Sequence, residues 1–197
     1  MSRARRSAVF RPGKGRLFFV LAMVILLCVL LFRFGFGSVS QVAFPRKYEA
    51  WVEQYAGENG LPDELVYSII YCESGFDPDA VSSVGARGLM QLMEPTFDWV
   101  KERLDGEEKA EYGDMFDPET NIKYGCRLFG LLLEEYETVP NALCAYHAGW
   151  GTARKWLEDK EISPDGENIE NIPYKDTAHY VDKVMRTAEI YRKLYDL

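Results

Sequence analysis

Residues 74–91 read SGFDPDAVSSVGARGLMQ, and this stretch constrains the fold more than any other. Gly75, Pro78, Gly85 and Gly88 make it a poor helix interior, because glycine loses too much backbone entropy and proline lacks the donor. Helical periodicity lies on both sides of it. Before it, Leu65, Val66, Ile69, Ile70 and Cys72 repeat at three- and four-residue spacing behind Pro62. The chain must therefore run helix, irregular loop, helices. Glu73 stands where the first pattern stops. A carboxyl there sits on a rigid element, borders the loop and lies near the negative end of a helix dipole, which favours its protonated form.

The rest of the chain fits a mainly α domain. A helix is expected from Tyr48 through Trp51, Val52 and Tyr55, stopping at Gly57–Gly60, and the Glu73 helix follows over 62–74. Residues 76–92 are expected to be extended or a small β patch. Further helices are expected over 95–104, 118–136, 140–148, 152–157 and 174–195, with an acidic loop over 105–114 and a polar one over 159–173. Thr96 is expected to cap the helix that follows it.

The 197 residues divide unevenly in charge. Residues 1–16 carry six Lys or Arg and no acid, so the remainder holds 17 bases against 31 acids, near −14. Such a domain repels phosphate, which excludes nucleic acid as a partner. Residues 17–32 contain no charge, and extension through Arg33 to Gly37 brings the run to bilayer length. With the basic flank before it, 17–37 reads as a signal anchor, the N-terminus cytoplasmic and the domain extracytoplasmic. Cleavage near Ser38-Val39-Ser40 is the alternative. The domain plan is a basic segment 1–16, an anchor 17–37, a linker 38–47 and a domain 48–197.

Cys72, Cys126 and Cys144 lie in apolar helical surroundings and show no metal spacing. They read as buried core residues, with one disulfide among them as the alternative.

The string Glu73-Ser74-x-Phe76-x-Pro78-x-Ala80-x-Ser82-x-x-Gly85-Ala86-x-Gly88-Leu89-Met90-Gln91 resembles the signature of the soluble lytic transglycosylase (SLT, goose-lysozyme-like) family. The resemblance continues at Ala145-Tyr146-x-Ala148-Gly149-x-Gly151 and at Tyr180-Val181, and covers about Trp51 to the C-terminus. It implies a lysozyme-like α-helical domain acting on the MurNAc–GlcNAc bond of peptidoglycan glycan strands, with no metal or cofactor. Glu73 would be the single acid and then base, and the sugar's own C6 hydroxyl would replace water, giving a 1,6-anhydromuramic product. Ser82 would orient the sugar, Gln91 would line the cleft and Met90 would form part of its wall. Tyr146 would hydrogen-bond near Glu73 or the substrate, and Tyr180 would close the other side. His147 stands where the family has Asn, and adds a group that titrates near neutrality. The proline of Met93-Glu94-Pro95-Thr96 is displaced by one from the family pattern, and the Arg often found before Tyr-Val is absent.

The residues alone offer one strong acid and no convincing partner. Asp77 and Asp79 are the nearest carboxylates, and Asp77 beside Pro78 reads as an Asx turn. A goose-type muramidase and a non-catalytic peptidoglycan-binding scaffold are the competing readings.

Overall fold

Apolar side chains at three- and four-residue spacing become helices throughout the computed structural model, which describes residues 18, 19, 21–27, 41–104 and 109–197. From Phe44 onward the elements are α1 (Glu49–Glu58), α2 (Asp63–Glu73), α3 (Glu94–Lys101), a 3₁₀ helix (Tyr112–Phe116), α4 (Pro118–Tyr136), α5 (Val139–Ala148), α6 (Trp150–Glu158) and α7 (Lys175–Tyr195). These match the expected helices to within a few residues, except that α3 ends at Lys101 rather than near 104.

α2 is the centre. Leu65 through Ile70 are six consecutive buried residues, so neighbours cover the helix on every side. Such a helix is a core element, and packing outweighs the modest helix propensity of Val66, Ile69 and Ile70. Ser68 sits among them at no cost, because its hydroxyl donates to the Leu65 carbonyl at 2.7 Å. The most extensive partner of α2 is α7. There Thr177, Tyr180, Val181, Val184, Thr187 and Tyr191 form one buried stripe at helical spacing. α4 and α5 pack together on the other side of the core, and α5 also contacts α6 and α7.

The segment over 74–93 departs from expectation. Its β content is two isolated antiparallel bridges, Val81 with Arg87 and Arg87 with Leu92, and there is no sheet among the described residues. The small β patch is thus corrected to a folded loop. The chain turns at positive φ at Gly75, Phe76, Gly85, Gly88 and Gln91, too often for a ladder to extend. Asn121 of α4 clasps this loop. It accepts from the Met90 N–H at 2.8 Å and donates to the carbonyls of Met115 and Arg87 at 2.9 and 3.1 Å. Ser74, just past α2, donates to the Leu89 carbonyl at 2.8 Å. Thr96 does not cap α3: it lies inside the helix, and the capping position is Met93, whose side chain makes no cap bond. Pro95 in the first turn sets the helix start instead.

The folded unit begins at Phe44, ahead of the expected boundary at residue 48. Tyr195 and Tyr191 of α7 donate to the carbonyls of Phe44 and Pro45 at 2.7 and 3.0 Å. The Phe44 ring lies 5.0 Å from that of Tyr71, and Arg46 pairs with Glu49 and Glu53. Cys72, Cys126 and Cys144 are all free thiols, so the disulfide alternative is set aside. Among the described residues no helix is long and apolar enough to cross a membrane. The anchor expected over 17–37 lies for the most part outside the described residues.

Gly88 tests this architecture. It has φ +74, and a Cβ there would lie 2.0 Å from the Met115 carbonyl oxygen and 2.3 Å from Asn121 Nδ2. Gly88→Ala is expected to destabilise the fold by about 2–4 kcal/mol, from left-handed strain and overpacking, measured by denaturant unfolding. An unchanged unfolding midpoint would show that the Asn121 clasp is loose.

Candidate active site

Glu73 is the last residue of α2, and its carboxyl is largely enclosed. Burial pushes it up to about 7. Two neighbours on α7 act in the opposite direction, the Tyr180 hydroxyl and the Lys183 ammonium. No second carboxylate is among the groups whose charge acts on it. Asp77 and Asp79 are exposed, and Asp77 accepts from the Asp79 N–H at 3.0 Å, the Asx turn expected from sequence. Glu73 is therefore a lone acid, poised to hold or release a proton near neutrality.

Tyr180 and Tyr146 lie beside this centre, and His147 packs behind Tyr180. The Tyr180 hydroxyl is buried against Glu73 but makes no hydrogen bond of normal geometry. It lies close enough to Glu73 to oppose, as a hydrogen-bonding neighbour, the effect of burial on that carboxyl. Tyr146 donates to the Met90 carbonyl at 2.6 Å. It lies near enough for the Glu73 charge to push its phenol up, on top of the larger effect of burial. His147 stacks on the Tyr180 ring with centroids 4.5 Å apart, and its Nδ1 is 3.0 Å from the Thr177 hydroxyl. Burial lowers its imidazolium pKa and Asp176 partly restores it. Glu73, Tyr146, His147 and Tyr180 are thus assembled from α2, α5 and α7.

The remaining expected residues shape the loop. Met90 has no exposed surface; its sulfur would lie 2.2 Å from a Cβ at Gly125, so the side chain fills the space that glycine leaves on α4. What Met90 offers the site is its backbone, bonded to Asn121 and Tyr146. Gln91, at φ +49, donates to the carbonyls of Gly88 and Ala80 at 2.8 and 3.1 Å. The Ser82 hydroxyl accepts from the Ala86 N–H at 3.0 Å and closes a turn. Sequence reasoning missed Asn121 and Lys183, and gave Ser74 only as a member of the family string. The one signal for Asn121 is an asparagine on the otherwise apolar face of α4. Lys183 lies one turn beyond Tyr180. Among the described residues no group of three His, Cys, Asp or Glu side chains converges as a metal site.

This geometry can be set beside known proteins. The family model described as "Transglycosylase SLT domain" matches residues 50–169. The soluble lytic murein transglycosylase of Escherichia coli K12 is 30% identical over 153 residues, covering 76% of this chain and 23% of that protein. The membrane-bound lytic murein transglycosylase F 1 of Alkalilimnicola ehrlichii is 35% identical over 129 residues, covering 60% of this chain and 24% of that one. Among solved structures, an inactive mutant of the lytic transglycosylase Slt from Pseudomonas aeruginosa superposes with a TM-score of 0.71 at 32% identity, covering 79% of this chain and 25% of that chain. The 70-kDa soluble lytic transglycosylase in complex with bulgecin A gives 0.71 at 28% identity, with coverages of 78% and 25%. The chain spans about a quarter of the length of these relatives. With the family model matched across most of the helical unit, the chain belongs to the transglycosylase SLT domain family.

Proposed function

We propose that this chain is a lytic transglycosylase that cleaves the β-1,4 bond between MurNAc and GlcNAc in peptidoglycan and releases 1,6-anhydro-MurNAc ends. The observation that carries this reading is the single enclosed carboxyl of Glu73, raised to about 7 with no second carboxylate acting on it. Most double-displacement or water-activating glycosidases use two carboxyl groups across the scissile bond. A mechanism that borrows both later groups from the substrate needs one.

In that mechanism the Glu73 proton passes to the glycosidic oxygen, and the C1–O bond breaks with its electron pair leaving on GlcNAc. The 2-acetamido oxygen stabilises the cation at C1. The Glu73 carboxylate then takes the proton of the C6 hydroxyl as O6 closes on C1. Tyr180 supplies a hydroxyl beside the carboxylate that forms, and Lys183 supplies a positive charge. Tyr146 and Asn121 hold the Met90 backbone, while Ser82 and Gln91 hold the loop that forms the cleft wall. The position of His147 on Tyr180 supports a role at the substrate-facing edge of the site. The basic segment 1–16 and uncharged run 17–32, together with membrane-bound relatives, support attachment through 17–37 with the catalytic domain outside.

The test is mass spectrometry of products from purified peptidoglycan digested by the full chain. Anhydromuramic ends are expected, falling by at least ~10²-fold with Glu73→Gln, the usual scale of a general acid. Reducing ends would replace the reading with a hydrolase, and bound glycan without products would replace it with a scaffold.

The ionisation of Glu73 gives two pH predictions. Initial cleavage is expected to decline as pH rises through about 7, because the protonated acid is lost. Stability should respond too. A carboxyl raised from 4.5 to about 7 favours the folded state at low pH, and that contribution fades between those values. Glu73→Gln is expected to be more stable than the parent at pH 8, by up to about 3 kcal/mol, and equal to it near pH 4. Parallel unfolding curves for the two proteins across that range would refute the shift.

A further inference from the structure

The turn that leaves the catalytic centre leads to a second aromatic feature. Two residues beyond His147, Gly149 adopts φ +89 and turns the chain, so that Trp150 opens α6. Trp150 keeps 40% of its surface exposed while its ring also packs against another indole. Its orientation is braced from behind. The indole stacks on Trp99 of α3 at 5.0 Å and 28°, and the Arg103 guanidinium lies 4.1 Å from the Trp99 ring centre. Its backbone is fixed by the Tyr136 hydroxyl, which donates to the Trp150 carbonyl at 2.5 Å. An exposed indole held in one orientation is a preorganised contact surface.

The same indole walls a depression of about 460 Å³, whose other lining includes Thr96, Thr152 and Lys155. This combination of one flat aromatic wall with hydroxyl and ammonium groups around it suits a pyranose. The axial C–H bonds of a β-linked sugar form an apolar face that lies on an indole, while its hydroxyls and acetamido oxygen exchange hydrogen bonds at the rim. The volume falls within the range of small-ligand sites. The net acidity of the domain disfavours an anionic ligand and leaves an uncharged sugar unopposed.

We propose that Trp150, backed by Trp99 and edged by Thr96, Thr152 and Lys155, is a sugar-binding subsite for an uncharged N-acetylated unit of the β-1,4 glycan, next along the chain from His147. The proposal rests on the glycan-cleaving reading of Glu73 and adds where a more distant part of the strand is held. Binding energy gathered there tethers the strand without entering the chemical step, so it acts on KM more than on kcat.

The experiment uses the full chain carrying Glu73→Gln, titrated by calorimetry with chitohexaose, an uncharged β-1,4 N-acetylglucosamine oligomer. Trp150→Ala is expected to weaken binding at least ~10-fold and Trp150→Phe by less than ~3-fold; Thr152→Val serves as a second variant that leaves the indole in place and is expected to weaken binding ~3-fold. In the chain with Glu73 intact, Trp150→Ala is expected to raise KM for glycan strands with kcat changed less than ~3-fold. Thermal melts confirm that each variant is folded. Equal affinity for folded Trp150→Ala and its parent overturns the subsite, as does no measurable binding of the oligomer. Failure of the catalytic reading looks different: tight, Trp150-dependent binding with no anhydromuramic product from the Glu73 chain would leave the subsite standing and remove the transglycosylase.

Discussion

Burial of one carboxyl between two helices is the interaction on which the site depends. Ionised carboxylates avoid apolar surroundings, and at the end of α2 Glu73 is enclosed with only Tyr180 and Lys183 to offset the loss of water. The fold tolerates this because α2 is packed on every side, so the energy gained by Leu65, Val66, Ile69 and Ile70 holds the helix end where it is. Near pH 7 the group shares its time between acid and base, which is the property a single-residue mechanism requires. A more exposed glutamate would remain ionised and be a poor proton donor.

The loop after Glu73 is irregular, yet it is tightly held. Asn121, Ser74, Gln91 and Tyr146 bond its backbone, and the Tyr112 hydroxyl donates to the carbonyls of Gly85 and Leu92 at 2.6 and 3.0 Å. Loop carbonyls and N–H groups without a ladder must find partners elsewhere, and here side chains supply them. Two of the residues read as touching substrate, Met90 and Gln91, are members of this scaffold. Asn121 of α4 and Tyr146 of α5 bond the N–H and carbonyl of Met90, so both helices hold the loop at one residue.

A similar economy appears at the start of the folded unit. Phe44, Pro45 and Arg46 are tied to α2 and α7, the helices that carry Glu73 and Tyr180. The chain therefore enters the domain on the helix pair that sets the acid's environment.

The helices were legible in the sequence because a buried face repeats every three to four residues and leaves a local trace. The end of the apolar pattern at Glu73 placed a carboxyl at a helix end, and the family string that begins there is what singled it out as the acid. Tyr146 and Tyr180 were legible through the family string and His147 as a departure from it; in the structure Tyr146 and Tyr180 lie near Glu73, and His147 stacks on Tyr180. Other features had no local trace. The contact of Tyr195 with Phe44 spans 151 residues, and that of Asn121 with Met90 spans 31. The small β patch was misread because glycine and proline exclude a helix without saying that repeated positive φ values also prevent a ladder. Met90 was misread because a methionine beside the catalytic loop gives no sign that Gly125 has left room for it in the core. Sequence by itself determined which segments are helical and that Glu73 ends one of them beside a loop rich in turn residues, since both follow from patterns of neighbours along the chain. The raised pKa of that carboxyl, the Tyr180 hydroxyl set beside it and the braced indole of Trp150 were decided by tertiary structure alone, because each arises from burial and contact between side chains far apart in sequence.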